Sequence, residues 1–363
     1  MKIGILGGGQ LAKMLALAGY PLGINVICID PALGCSATQV AKVVPSSFHD
    51  LEEISKHFHD VDCVTYETEN LPYDAVLPIA NRYQLVPGIQ ALKITQDRLY
   101  EKDFLNELHI PTAQYRQIDH WNDLQEAIAP LHFPLVLKTR RNGYDGKGQF
   151  VIANEADAKN AWEQAGSQLL IAEAFVPFQC EVSLVFARGH SSDVVFYPLT
   201  LNHHQQGILR YSQAPYLNTN LQTTAQNYAV AIAEKLNYIG VMAIEFFCIN
   251  DSELIVNEIA PRVHNSGHWT IEGAVTSQFE NHMRAISGLP LGCTDTHGYS
   301  TMINCIGQEP NNLQAILSIP GLHYHTYGKS PRAHRKLGHI TICAEDQQQL
   351  ANRVTAFNHL VVI

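Results

Sequence analysis

The chain reads as a protein of mixed α/β and α+β class in three parts: a parallel α/β domain, a larger α+β domain carrying a mobile subdomain, and a small C-terminal β-rich domain. Three observations predict this. Strand and helix patterns alternate with short connections over residues 1–95, as in a parallel sheet that takes ligands at the carboxyl ends of its strands. Residues 111–175 repeat the alternation on a smaller scale around a glycine-rich loop. Strand patterns then dominate. The expected boundaries are 1–95, 96–290 with the mobile lid over about 111–175, and 291–363.

In order, "KIGILG" is a strand, "QLAKMLALAG" a helix, "NVICID" a strand, "DLEEISKHF" a helix and "VDCVTYE" a strand, with "DAVLPIANR" and "QLVPG" continuing the pattern. A long polar helix pattern, "TQDRLYEKDFLNELHI", stops at Pro111, which lacks the N–H a helix interior needs. The smaller unit runs "AQYRQI", "DLQEAIAPL", "FPLVLKTR", the glycine loop, "QFVIAN", "EADAKNAWEQA" and "QLLIAEAFV". The strands "EVSLVFARG", "DVVFYPLTL", "GVMAIEFFCIN" and "ELIVNEIAP" follow, with helices "TAQNYAVAIAEKL" and "TIEGAVTSQFENHMRAI" among them. After "SGLPLG", strands and one helix close the chain, with no internal repeat and no low-complexity tract.

A hydrophobic content of 46% and a charged content of 16% are ordinary for a soluble globular enzyme. The formal charge of -10, with no Lys/Arg block, argues against nucleic acid or an anionic membrane as partner. The eight cysteines are scattered, mostly in apolar stretches, and none forms C-x-x-C, so reduced core thiols and a cytoplasmic location are expected. "MKIGIL" has no cleavage site of the signal-peptide kind, and no stretch approaches the roughly 20 apolar residues of a membrane helix.

Four stretches carry chemistry. Gly7, Gly9 and Ala12 fit G-x-G-x-x-G/A, with Asp30 closing the next strand. Two readings stand for that turn, a plain strand-to-helix connection or a phosphate site at the helix N-terminus, and the glycines alone do not choose between them. "KTRRNGYDGKGQF" says more. Lys138 ends an apolar strand, and Gly143, Gly146 and Gly148 make a loop able to offer successive N–H groups to phosphates while the lysine reaches their oxygens. It is not a Walker A loop, and a wide hairpin turn is its plainer reading.

The third stretch is a pair of strand patterns joined at "INDSE". Centring the turn on Asp251–Ser252 sets Glu245 opposite Glu258 on one face. Two carboxylates about 4 Å apart repel by roughly 4 kcal/mol at an effective dielectric of 20, a penalty that a cation between them removes. Mg²⁺ accepts a few carboxylates plus substrate phosphates, so a Mg-nucleotide fits; a solvated strand face is the other reading. Fourth, "PRVHNSGHWT" crowds Arg262, His264, Asn265, Ser266 and His268 into one loop, groups suited to anion recognition and proton handling.

Together the Lys strand, the glycine lid, "EAFV", Glu245 and "NEIAPR" resemble the ATP-grasp carboxylate–amine ligases. "GGGQL", "YETEN", "RRNGYDGKGQ", "EVSLVFARG", "FYPLT", "GILR" and "NEIAPRVHNSGHWT" are similar to the 5-(carboxyamino)imidazole ribonucleotide synthase family of purine biosynthesis, over nearly the whole chain. The resemblance implies an ATP-grasp fold with an N-terminal Rossmann-like (pre-ATP-grasp) domain and a small C-terminal β-rich domain. It implies ATP and Mg²⁺ as cofactors, and 5-aminoimidazole ribonucleotide and bicarbonate as substrates. Bicarbonate would be phosphorylated to carboxyphosphate, which carboxylates the amine behind a lid that excludes water. A homodimer is expected on the same ground.

Carried over by position, the resemblance gives ATP contacts to Arg98 and Lys138 and to the lid residues Gly143, Tyr144, Asp145, Gly146, Lys147, Gly148 and Gln149. Glu173, Ala174, Phe175 and Val176 match the adenine-reading hinge, Glu181 the ribose-binding acid, and His204 and Asn257 stand near nucleotide and metal. Glu245 and Glu258 match the Mg²⁺ ligands. Arg262 and His264 match the bicarbonate and carboxyphosphate site, with Tyr144 and Asp145 meeting the aminoimidazole. Gln10, Leu11, Glu67, Asn265, Lys329, Arg335 and Lys336 complete the ribonucleotide end, which makes the first glycine turn part of that subsite.

Two departures stand out. The family commonly reads R-P-x-R-K where this chain has "RAHRK" from Arg332 to Lys336, losing a rigid proline. Ala260 stands where many ATP-grasp enzymes place a metal-ligating Asn. An NAD dehydrogenase would explain the first 30 residues and leave the carboxylate pair and second glycine loop without a role. Formate-dependent glycinamide ribonucleotide transformylase shares the layout, but "NSGHWT" and "GYDGKGQ" argue against it. A regulatory nucleotide-binding protein would bind ATP without turnover.

Overall fold

In the computed structural model, which describes residues 1–143, 146–166 and 168–360, the N-terminal segment builds a four-stranded parallel sheet. Its strands are β1 (Lys2–Leu6), β2 (Asn25–Asp30), β3 (Lys42–Pro45) and β4 (Cys63–Tyr66), in the order β3-β2-β1-β4. β1 is central, so Ile3, Ile5 and Leu6 are buried, as expected for a strand covered on both faces. Phe58, at the end of helix Leu51–Phe58, lies over Gly4, where a Cβ would come within 2.7 Å of its ring. β3 has no counterpart in the sequence pattern because it is four residues long and ends in proline at the sheet edge. "QLVPG" is not a strand; Leu85 makes one bridge to Val64.

Two helices stand where one long helix over 95–110 is expected: Arg98–Glu107, which lies inside that pattern, and Ile89–Thr95, which precedes it. Asp97 separates them by leaving helical geometry and accepting the Leu99 N–H with its own carboxylate. Next comes a small antiparallel sheet of β5 (Tyr115–Ile118), β6 (Leu135–Thr139), β7 (Gln149–Ile152) and β8 (Leu170–Ala174), in the order β5-β8-β6-β7. Helices Trp121–Leu131 and Glu155–Ala165 pack on it through Leu124, Ala127, Ala158 and Ala161, giving this unit its own core. The glycine loop joins β6 to β7, whose register pairs Lys138 with Gln149. The hairpin and loop readings of that stretch are therefore compatible.

The largest sheet contains β9 (Cys180–Arg188), β10 (Val194–Phe196), β11 (Thr200–Gln205), β12 (Ile208–Ala214), β13 (Gly240–Asn250), β14 (Glu253–Ala260), β15 (Tyr299–Ile306), β16 (Leu322–Thr326) and β17 (Lys336–Ala344). It runs β14-β13-β9-β11-β12-β15-β17-β16, with β10 also on β9. The last three strands thus extend the central sheet rather than forming one of their own. "DVVFYPLTL" splits into β10 and β11, and β12 was not foreseen. "TIEGAVTSQFENHMRAI" is also two helices, because Ser277 caps Gln278–Ile286 by accepting the Glu280 N–H.

Alternation along β9 and β13 decides what each face carries. Val182, Leu184, Phe186, Met242 and Ile244 pack under helix Thr219–Lys235. Val185, Ala187, Val241 and Ala243 pack toward helices Gln10–Gly19 and Gln278–Ile286. Continued toward the open end, this second face presents Glu181, Ser183 and Glu245. All eight cysteines are free, and no helix among the described residues is long and apolar enough to cross a membrane.

Candidate functional site

One cleft of about 710 Å³ is lined by all three parts of the chain. Its floor is the β13–β14 hairpin, where Glu245 and Glu258 are register partners, as the turn count predicts. The count succeeds because two irregularities cancel. Ile249 is an extra residue on β13 and Asn257 an extra residue on β14, so the register slips by one and returns. The second bulge leaves the Asn257 Oδ1 buried without a hydrogen-bond partner.

Each floor carboxylate faces a cation or imidazole. Arg98 Nη1 donates to Glu258 Oε2 at 3.0 Å, and His264 Nε2 lies 3.2 Å from Glu245 Oε1. Burial and the neighbouring Glu258 push Glu245 up to about 7. Burial would raise Glu258 too, but the Arg98 guanidinium holds it below the usual carboxylate range. Beneath them Glu101, missed in the sequence, accepts the Ile259 N–H at 2.7 Å and is pushed up to about 8 by burial and by Glu258.

Lys138 Nζ donates to Glu173 Oε2 at 2.9 Å, and Lys102 lies 3.6 Å from the same oxygen. Burial works against the Glu173 charge, yet the two ammonium groups prevail and hold it at about 2. Lys102 went unrecognised because it lies inside an ordinary polar helix pattern. Asp97 is a second unforeseen anchor: Arg140 reaches it through two bonds of 2.8 Å and Arg141 through one of 3.1 Å. The quoted "TRRNG" contained both arginines, but nothing in its spacing pointed to Asp97.

Toward the outer end, Ala174, Phe175 and Val176 line the cleft beside Phe178 and Phe247, whose rings stack at 4.7 Å. His204 Nδ1 lies 2.7 Å from Glu181 Oε2. Burial alone would depress this imidazole, but Glu181 and then Glu245 raise it above the ordinary value. On the opposite wall Arg262 Nη2 donates to Glu69 Oε1 at 2.8 Å and its Nε to Oε2, a two-point clamp. Glu69 sits in "YETEN" and was not singled out. Burial and Arg262 hold His264 well below the usual imidazole range.

At the far end the glycine turn is already satisfied by the chain. Asp30 Oδ2 accepts the Gly8 N–H at 2.7 Å, and Glu67 accepts those of Gly9 and Ala12 at 2.5 and 2.9 Å. Gly7 has φ +104°, and a Cβ there would come within 2.5 Å of the Glu67 side chain. With these donors committed, the turn is no pyrophosphate cradle of the dinucleotide kind, and the dehydrogenase reading loses its one support. Gln10 Oε1 accepts from Lys329, and Leu11, Asn265 and Lys336 line the same end.

The cleft therefore gathers Gln10, Leu11, Glu67, Arg98, Lys138, Gly143, Gly146, Gln149, the 173–176 segment, Glu181, His204, Glu245, Asn257, Glu258, Arg262, His264, Asn265, Lys329 and Lys336. Lys147, Gly148 and Arg335 are not among its lining residues; Arg335 donates to the Ser330 carbonyl at 3.2 Å. Tyr144 and Asp145 lie outside the described residues. Among the described residues no group of three or more His, Cys, Asp or Glu could hold a metal on protein ligands alone. Two carboxylates beside the unpartnered Asn257 oxygen nevertheless fit a hard cation that completes its shell with phosphate oxygens.

Residues 1–96 match the ribonucleotide synthetase preATP-grasp domain, 103–279 the ATP-grasp domain, and 300–353 the phosphoribosylaminoimidazole carboxylase C-terminal domain. The chain is 44% identical over 361 residues to the N5-carboxyaminoimidazole ribonucleotide synthase of Pseudomonas aeruginosa, covering 99% of each chain. The crystal structure of N5-carboxyaminoimidazole ribonucleotide synthetase from Thermus thermophilus superposes with a TM-score of 0.94 at 45% identity, covering 99% of both chains. An Aspergillus clavatus N5-carboxyaminoimidazole synthase in complex with ADP and 5-aminoimidazole ribonucleotide superposes with a TM-score of 0.89 at 29% identity, covering 99% and 98% of the two chains. Agreement at this identity and over the full length makes the chain an ATP-grasp ligase, and it belongs to the N5-carboxyaminoimidazole ribonucleotide synthase family.

Proposed function

We propose that the protein uses ATP and bicarbonate to carboxylate 5-aminoimidazole ribonucleotide in de novo purine (IMP) biosynthesis, giving 5-(carboxyamino)imidazole ribonucleotide, ADP and phosphate. The observation that carries this is the single cleft in which the lysine and carboxylate end, the Arg262–His264 wall and the Glu67–Gln10–Lys329 end are continuous. A bicarbonate oxygen attacks the γ-phosphorus and ADP leaves. The amine nitrogen then attacks the carbon of carboxyphosphate, phosphate leaves, and the amine loses a proton.

Lys138, braced by the buried Glu173, and Arg98, paired with Glu258, stand ready to orient the triphosphate. Ala174 to Val176, with Phe175 and Phe178, offer an apolar slot for adenine, and Glu181 an acceptor for the ribose. Glu245 and Glu258, with Asn257 at the β14 bulge beside them, would hold Mg²⁺, which supplies charge neutralisation at the transferring phosphoryl group. Arg262, immobilised by Glu69, keeps a positive charge beside the floor where bicarbonate would lie. His264 offers a neutral imidazole on the same wall. Lys329 and Lys336 would take the ribonucleotide phosphate, and Glu67 and Gln10 its polar groups. The loop from Gly143 to Gln149, with the 111–175 unit as its carrier, would close over the site and exclude water.

A homodimer and a cytoplasmic setting belong to the same reading. The test is ADP release from MgATP. Release that needs both bicarbonate and 5-aminoimidazole ribonucleotide, stops with EDTA and returns with excess Mg²⁺ supports it. Release that answers instead to formate and glycinamide ribonucleotide moves the protein to the sister reaction.

A further inference from the structure

His264 ends a chain of buried polar side chains that crosses three strands of the central sheet. Ser212 donates to Asn202 Oδ1 at 2.8 Å, Asn202 Nδ2 to Ser183 Oγ at 3.0 Å, and Ser183 to Ser266 Oγ at 2.7 Å. Ser266 Oγ lies 2.9 Å from His264 Nδ1. Ser183, Ser212 and Ser266 are fully buried and Asn202 is 5% exposed. Polar groups in a core strand lower stability unless paired, and these four pair chiefly with one another.

The direction of donation is fixed at one end by a group that cannot turn around. The backbone N–H of Ser266 points at His264 Nδ1, 3.3 Å away, so that nitrogen presents its lone pair. The Ser266 hydroxyl must then donate to Nδ1 and accept from Ser183. Ser183 accepts in turn from the amide of Asn202, whose oxygen faces Ser212. The ring proton is left on Nε2, which faces Glu245 Oε1. Gln278 holds the backbone of His264 from behind, accepting its N–H at 2.9 Å and donating to its carbonyl at 2.7 Å.

We propose that Ser266 and Ser183, backed by Asn202 and Ser212, are positioning residues that hold His264 as its Nε2–H tautomer and aim that N–H across the cleft floor toward Glu245 and the bicarbonate subsite. The proposal rests on the reading of His264 given above. The relay explains why two serines and an asparagine occupy sheet positions that packing alone would fill with apolar side chains, with a third serine buried in the turn after His264. For histidines that ligate metals, losing the partner that orients the ring through its second nitrogen typically costs about 10–100-fold in affinity or activity, and the same orienting effect sets the scale expected here.

The experiment uses the full chain with ¹⁵N-labelled histidine, His264 being assigned by its loss in His264→Gln. Long-range proton–nitrogen correlation should show a protonated Nε2 and an unprotonated Nδ1 in the parent protein. In Ser266→Ala and Ser183→Ala the two nitrogen shifts should move toward each other as tautomers mix. In the same variants kcat for ribonucleotide-dependent ADP release should fall about tenfold or more, with the KM for ATP within about twofold. If one variant does not fold, the other decides. Parent-like shifts together with parent-like kcat in a folded variant overturn the relay. If His264→Gln itself keeps full carboxylation, the reading of His264 fails instead, so the two failures are distinguishable.

Discussion

Glu173 illustrates how far a single residue could be placed from the sequence. Its segment and Lys138, 35 residues before it, could be assigned to the cleft, but Lys102, 71 residues before it in an ordinary polar helix pattern, could not, and nothing in the spacing showed that both lysines meet on Glu173. The Glu245–Glu258 pair was legible from strand alternation and a short turn, but the count holds only because the two bulges between turn and pair cancel. Asp97, Glu69 and Glu101 were not, because each acts through a partner distant in sequence, and Ser266 was placed in its loop without its bond to Ser183. The folded-state value of Glu173, about 2, lies below its ordinary 4.5. A depressed carboxylate contributes stability above the ordinary value and loses it as pH falls toward the folded one. The stability advantage of the parent over Glu173→Gln, read by urea unfolding, should therefore shrink between about pH 4.5 and 2. Lys329→Ala should raise the KM for the ribonucleotide roughly tenfold to a hundredfold, as expected for a lost charge-assisted hydrogen bond. Arg335→Ala should do less, because that side chain does not line the cleft; an equal rise in the KM for ATP would misplace the phosphate subsite.

At the scale of elements, long apolar strands and capped helices could be read directly, whereas breaks within a continuing pattern could not. Ser277 starts a second helix inside one continuing helical pattern, and Asp97 starts a helix two residues into the pattern expected for it, after a helix that pattern did not include. β12 escaped notice because its alternation follows a two-residue turn with no strongly apolar run. Asp97 does more than cap a helix: it anchors Arg140 at the end of β6, and the Arg98 N–H in turn bonds to the Arg140 carbonyl at 3.0 Å. Asp97→Ala would leave the buried Arg140 guanidinium uncompensated and remove a cap. Urea unfolding should show a loss of about 3 kcal/mol or more, the usual effect of removing one partner of a buried pair. A loss under about 1 kcal/mol would mean that water replaces the carboxylate.

Across the whole molecule, the changes of pattern along the sequence do not show how its segments join. Sequence patterns mark strands and not their neighbours, so nothing showed that β15 pairs with β12 and carries the central sheet into the last segment. Met302 and Tyr327 from that segment sit in the same core as Met14, Val185 and Phe279. A chain truncated after Leu289 would expose the edge of β12 and open that core. It should be recovered as aggregate or as a form that binds no ADP, checked by size-exclusion chromatography and calorimetry. A monodisperse, ADP-binding fragment would show that the first two parts fold without the third.

The two compensating bulges of the floor hairpin also bear on which insertions and deletions this family of sequences can absorb. Ile249 and Asn257 are each unpaired, so deleting either removes a bulge and leaves the flanking pairs, Cys248–Leu254 and Glu245–Glu258 among them, in register. The two positions differ in what else they carry. Loss of Ile249 straightens the hairpin near its turn, away from the floor carboxylates, whereas loss of Asn257 also removes the buried amide oxygen next to Glu258. A gap in this hairpin should therefore be tolerated at Ile249 and not at Asn257.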